Sequence, residues 1–90
     1  MQKFPKIEEG QVALVRADPM TGHVLDDSFS LYLNDSNQNI YTVFEILQAA
    51  KEYANEFLNR TNEFEFAIYD YQNNCIECWS PYPDRLDLKP

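Results

Sequence analysis

Thr42 to Arg60 reads TVFEILQAAKEYANEFLNR, and this stretch decides the fold. Val43, Leu47, Ala50, Ala54 and Phe57 recur at steps of three and four, with Phe44, Ile46, Tyr53 and Leu58 widening the stripe. Glu45, Gln48, Glu52, Asn55, Glu56 and Asn59 fall on the other side. That spacing predicts an amphipathic helix with one face on a core. Thr42 and Glu45 have the spacing of a capping box, with Tyr41 and Ile46 as the staple, so the helix is expected to begin at Thr42. A lone helix of this kind needs a sheet to lie on.

The rest of the chain supplies four strand patterns. Gln11 to Ala17 (QVALVRA) holds four apolar residues in succession, which predicts burial on both faces and a central place. Asp18, Pro19 and Gly22 mark a turn. Val24 to Leu33 is expected as the second strand, with Phe29, Leu31 and Leu33 facing the helix and Asp26–Asp27 marking a bulge or an edge. Asn34 to Asn39 is too rich in Asn and Asp for anything but a loop. In Glu63 to Asp70, Phe64, Phe66 and Ile68 point one way and Glu63, Glu65, Ala67 and Tyr69 the other. Gln72-Asn73-Asn74 is a hairpin turn, because Asn tolerates positive φ. In Cys75 to Trp79 the alternation places Ile76 and Cys78 inward and Cys75, Glu77 and Trp79 outward. The expectation is an α+β fold of order ββαββ: a four-stranded, mainly antiparallel sheet with the helix on one face. With the first strand central, the order 2-1-3-4 makes every pairing antiparallel; a parallel contact between strands two and three is the alternative. Residues 1–10 read as an N-terminal arm, 11–80 as the single domain and 81–90 as an extended tail.

Fifteen acidic and seven basic side chains give a net charge of -8. Phosphate backbones are bound by Lys and Arg that displace counterions, so the balance argues against nucleic acid. It argues equally against an anionic membrane surface. It favours a basic protein partner drawn in by long-range steering, or serves solubility alone. No run approaches a membrane span, and MQKFPKIEEG lacks the apolar core of a secretory signal. Two cysteines make no disulfide framework, so a reduced, cytoplasmic protein is expected. The sequons Asn34-Asp35-Ser36 and Asn59-Arg60-Thr61 then carry no meaning.

Four constellations could carry chemistry. Cys75-Ile76-Glu77-Cys78 is a C-x-x-C motif, but it lies in a strand and not at a helix start, and a regular strand sends residues three apart to opposite faces. Only His23, in a turn, could add a further soft ligand, so neither a metal nor a redox centre is expected. Asp35, Asn37 and Asn39 have the spacing of an EF-hand opening, but Ile40 and Ile46 stand where that loop needs Gly and Glu. The pairs Glu8–Glu9, Asp26–Asp27 and Glu63–Glu65 have no apolar pocket defined beside them. No catalytic residue and no cofactor follow. The remaining candidate is the sheet face away from the helix, where Tyr32, Glu63, Glu65, Tyr69, Glu77 and Trp79 are expected together. Aromatics among acids on an open face suit a protein-binding surface. Cross-strand stabilisation, or cover by the tail through Tyr82 and Leu86, would explain the same residues.

Phe44, Ala50, Tyr53 and Ala54, followed by Glu65-Phe66-Ala67-Ile68-Tyr69-Asp70, resemble a pattern in small bacterial proteins. In these a helix with an A-x-x-Y-A repeat precedes a strand ending I-Y-D and a hairpin. Some resemble immunity proteins of contact-dependent or polymorphic toxin systems. The resemblance implies a small soluble protein that binds and blocks a toxin, often a basic nuclease; it assigns no functional residues, and a non-enzymatic binding module is the reading expected. A self-associating structural domain is the alternative, and a cysteine-based metal or redox protein the third.

Overall fold

The computed structural model describes residues 2–60 and 63–81. Thr61, Asn62 and residues 82–90, including Tyr82 and Leu86, lie outside them. The elements run β1 (Val12–Ala17), β2 (Val24–Leu25), β3 (Thr42–Phe44), α1 (Leu47–Leu58), β4 (Glu65–Tyr69) and β5 (Cys75–Trp79). The sheet order is β2-β1-β4-β5, with β3 also on β1, and every pairing is antiparallel. The α+β class and the central β1 are therefore as the sequence predicts. Val12, Ala13 and Leu14 are buried in succession because β1 is covered on both faces. No helix among the described residues is long and apolar enough to cross a membrane.

The helix begins four residues later than the capping-box reading places it. Thr42, Val43 and Phe44 instead pair with Leu14, Ala13 and Val12. β2 covers only Arg16 and Ala17 on that edge of β1, leaving the backbone groups of residues 12–14 to be satisfied. A β-branched and aromatic triplet fills the gap, which overrides the local helix pattern. The two capping-box side chains are used elsewhere. Arg16 Nη2 donates to Thr42 Oγ1, and Gln11 Nε2 donates to Glu45 Oε2 at 2.8 Å. The residue at the helix N-cap is Ile46, which gives no side-chain cap.

The second strand is also shorter than its pattern. Only Val24–Leu25 form ladder, with one isolated bridge from Leu25 to Leu31. Asp26 is the cause: its Oδ1 accepts from the backbone N–H groups of Ser28 and Ser30, both at 2.9 Å, and curls the chain. Phe29 then sits at φ 64 at the tip and reaches the helix side, while Leu31 and Leu33 are exposed, contrary to the expected alternation.

On the helix face, Val12, Leu14, Phe66 and Ile68 meet Ala50 and Ala54. The two alanines let the helix backbone approach the sheet closely. An aromatic layer seals one end: Phe29 stacks 4.9 Å from Phe57 and 4.6 Å from Phe64, and Tyr53 lies 5.1 Å from Phe57. Arg16, fully buried, lies in this layer with its guanidinium 5.4 Å from the Phe29 ring centre.

Candidate functional site

β4 keeps its expected phase, with Phe66 and Ile68 to the helix and Glu65, Ala67 and Tyr69 to the reverse side. β5 does not. The hairpin turn forms as expected, with Asn73 at φ 64 and Asp70 Oδ1 accepting from the N–H groups of Gln72 and Asn74. Tyr69 then pairs with Cys75, but Ile68 pairs with Glu77, so Ile76 is an extra residue in a β-bulge. The bulge reverses the phase of everything after it. Glu77 and Trp79 pair with Ile68 and Phe66 and share the helix side; Trp79 packs against the core cluster. Cys78 pairs with Ala67 and shares the reverse side with Cys75. Glu77 and Trp79 thus leave the expected reverse-face set, and Cys75 and Cys78, expected on opposite faces, lie on the same one. Both cysteines are exposed, so the expected burial of Cys78 is corrected as well.

Of the other expected members, Tyr69 and Glu65 lie together on the reverse face, with Glu63 exposed just before the strand. Tyr32 belongs to a separate polar cleft of about 280 Å3, where its Oη accepts from the Gln2 backbone N–H at 3.0 Å. The N-terminal arm is fastened here. Gln2 Nε2 donates to Asn39 Oδ1 at 2.7 Å, and Gln2 Oε1 accepts from the Ile40 N–H at 2.7 Å. Phe4 then meets Tyr41 and Tyr69 edge-on, at 5.4 and 6.3 Å between ring centres. Burial pushes both phenols above their ordinary pKa, and at Tyr69 the neighbouring Cys75, Cys78 and Tyr41 add to it.

Among the described residues, the reverse face beyond the arm is open. A groove of about 490 Å3 runs along β4 from Glu65 to Tyr69, roughly 13 Å at the usual strand rise. Val15, Ala17 and Ala67 line it with short side chains; Gly22 and Val24 line it near Glu65, and Cys75 and Cys78 on the β5 side. Gly22, at φ 79, belongs to the turn that Asp18 organises. His23 is an exposed residue of that turn, as expected.

Glu65 was expected to point into solvent. It is 7% exposed, and its Oε2 is sealed from water without a hydrogen-bond partner among the described residues. Sequence reasoning missed this burial because nothing in the β4 segment itself signals it. Among the described residues no group of three His, Cys, Asp or Glu side chains is placed to hold a metal ion. What the arrangement offers is an apolar trough with one enclosed carboxylate at its end. No family model matches the chain, and no curated protein or solved structure matches it.

Proposed function

We propose that this chain is a small acidic, non-enzymatic binding module that holds a basic protein partner on the reverse face of its sheet and neutralises it. A basic toxin is the kind of partner that fits. The observation that carries this reading is the open groove along β4, with Tyr69 at one end and Glu65 at the other, on a chain of net charge -8. Charge speeds encounter with a basic surface, and the trough supplies the contact that slows release. Glu65 and Tyr69 stay in the binding set and Glu63 stands beside them. Tyr32 belongs to the edge held by the arm, and Glu77 and Trp79 to the opposite side.

Self-association through the outer edge of β5 is the competing reading. The bulge at Ile76 weighs against it, because a bulged edge is a poor template for a further strand. The test is calorimetric titration against the protein encoded by the neighbouring gene, at low and high salt. A complex that weakens with salt and is lost in Ala67→Phe, which fills the trough, supports the proposal. A complex insensitive to both, or a stable homodimer with no affinity for that protein, overturns it.

A further inference from the structure

The geometry points to a specific occupant for the trough: one alkyl side chain with a cationic head, an arginine or lysine of the partner, seated with its head on Glu65. This rests on the binding reading above but can be tested apart from it. Two independent features meet here. The first is the cavity, about 490 Å3, lined by Val15, Ala17 and Ala67, whose short side chains leave a channel for a methylene stem. Lys and Arg lay such stems along apolar surface while the charge seeks a partner.

The second feature is Glu65. Buried carboxylates are expected to be paired, because an enclosed charge without a complement is costly. Oε2 of Glu65 has no hydrogen-bond partner among the described residues. The nearest buried cation by register, Arg16, is the ladder partner of Phe66 and occupies the other face of the sheet. Glu65 itself pairs with Ala17, which offers nothing polar from its side chain. None of the described residues supplies the complement, and the trough leaves room for one from a partner. Because the terminal torsion of a Glu side chain is broad, a small rotation presents the free oxygen to the channel. A guanidinium or ammonium entering along Ala67 would convert an unpaired buried acceptor into a charge-assisted hydrogen bond.

The experiment titrates n-butylguanidinium, and separately the neutral n-pentanol, into the full chain while amide resonances are followed by NMR. The cation should shift Ala17, Glu65 and Ala67 saturably, with a dissociation constant on the order of millimolar for so small a ligand. It should bind Glu65→Gln at least about fivefold more weakly, the loss of one charge-assisted contact, and Ala67→Phe not at all. The unshifted amides of Leu14 and Ala54 report that each variant is folded. Equal shifts from n-pentanol, unchanged affinity in Glu65→Gln, or no shifts at these residues would overturn the assignment. Failure of the protein titration alone would sink the proposed function and leave this site standing. A protein complex indifferent to Glu65→Gln would sink only this site.

Discussion

Replacing Ile68 by Ala tests the core against its register partner strand. Ile68 is fully buried in β4, in the cluster that includes Leu14, Phe66, Ala50 and Ala54. The change removes three carbons, which at about 0.8 kcal/mol each gives about 2.4 kcal/mol for transfer alone. The neighbours decide the cavity contribution. Ala50 and Ala54 have nothing to swing inward, and Leu14 and Phe66 are held by ladders on both sides of the gap. The hole therefore stays open, and the total should reach about 4 kcal/mol, in the upper part of the range for such truncations. For a chain of this length that is a large share of a stability of about 5–13 kcal/mol, and it should lower Tm by about 15–30 °C. Urea unfolding followed by the fluorescence of Trp79, the only tryptophan, gives the number: Cm falls with m unchanged. Ile76→Ala is the matched control. Ile76 is 41% exposed in the bulge, so its truncation should cost under about 1 kcal/mol. Equal losses at the two isoleucines would mean that β5 has the unbulged phase, and a loss under about 1 kcal/mol at Ile68 would mean that the helix can settle onto the sheet.

Three further outcomes follow from the geometry. Arg16 is fully buried, with Nε and Nη1 unpartnered among the described residues, and burial holds its guanidinium below the ordinary range, partly offset by Tyr53, Asp27 and Asp26. Arg16→Met should leave thermal stability within about 1 kcal/mol of the wild type or raise it, whereas Arg16→Ala should cost about 3 kcal/mol; a large loss in the Met variant would show the charge to be well compensated. Phe4→Ala should cost about 1–3 kcal/mol through its two edge-on contacts. By uncovering Tyr69 it should also bring that phenol down towards its ordinary pKa, read by ultraviolet titration; an unmoved titration would exclude the arm as its cover. Asp26 has its pKa lowered, chiefly by the Ser30 backbone N–H and then by Gln38 and Ser28. Its contribution to stability is present above the ordinary carboxylate range and lost as pH falls through the lower folded value. Urea midpoints against pH should show this acid limb in the wild type and a shallower one in Asp26→Asn; identical limbs would remove Asp26 as its source.

The alternation of Phe64, Phe66 and Ile68, and the unbroken VALV of β1, carried the fold class because both patterns depend only on which faces are covered. Thr42–Phe44 was illegible for a different reason. Its residues suit a helix start and a strand equally, and the choice was made by unfilled backbone groups of β1, thirty residues away in sequence. The phase of β5 held a clue that alternation alone could not use. Ile76 and Trp79 are both large and apolar, and no regular strand puts residues three apart on one face, so one must turn out or the strand must bulge. The structure does both: the bulge sends Trp79 in and leaves Ile76 outside. The burial of Glu65 had no local signal, since its neighbours in sequence are phenylalanines of the other face.

The extra residue at Ile76 makes the hairpin's allegiance a matter of counting. Flattening the bulge, so that Ile76 itself pairs with Ile68, would exchange the two sides of the strand beyond it, turning an indole and a carboxylate towards the trough and hiding the sulfur of Cys78, whereas loss of Ile76 would straighten the strand and keep its sides as they are. Substitutions that flatten the bulge therefore offer a short mutational route to a new recognition chemistry, with the helix, the central strand and the rest of the scaffold left as they are.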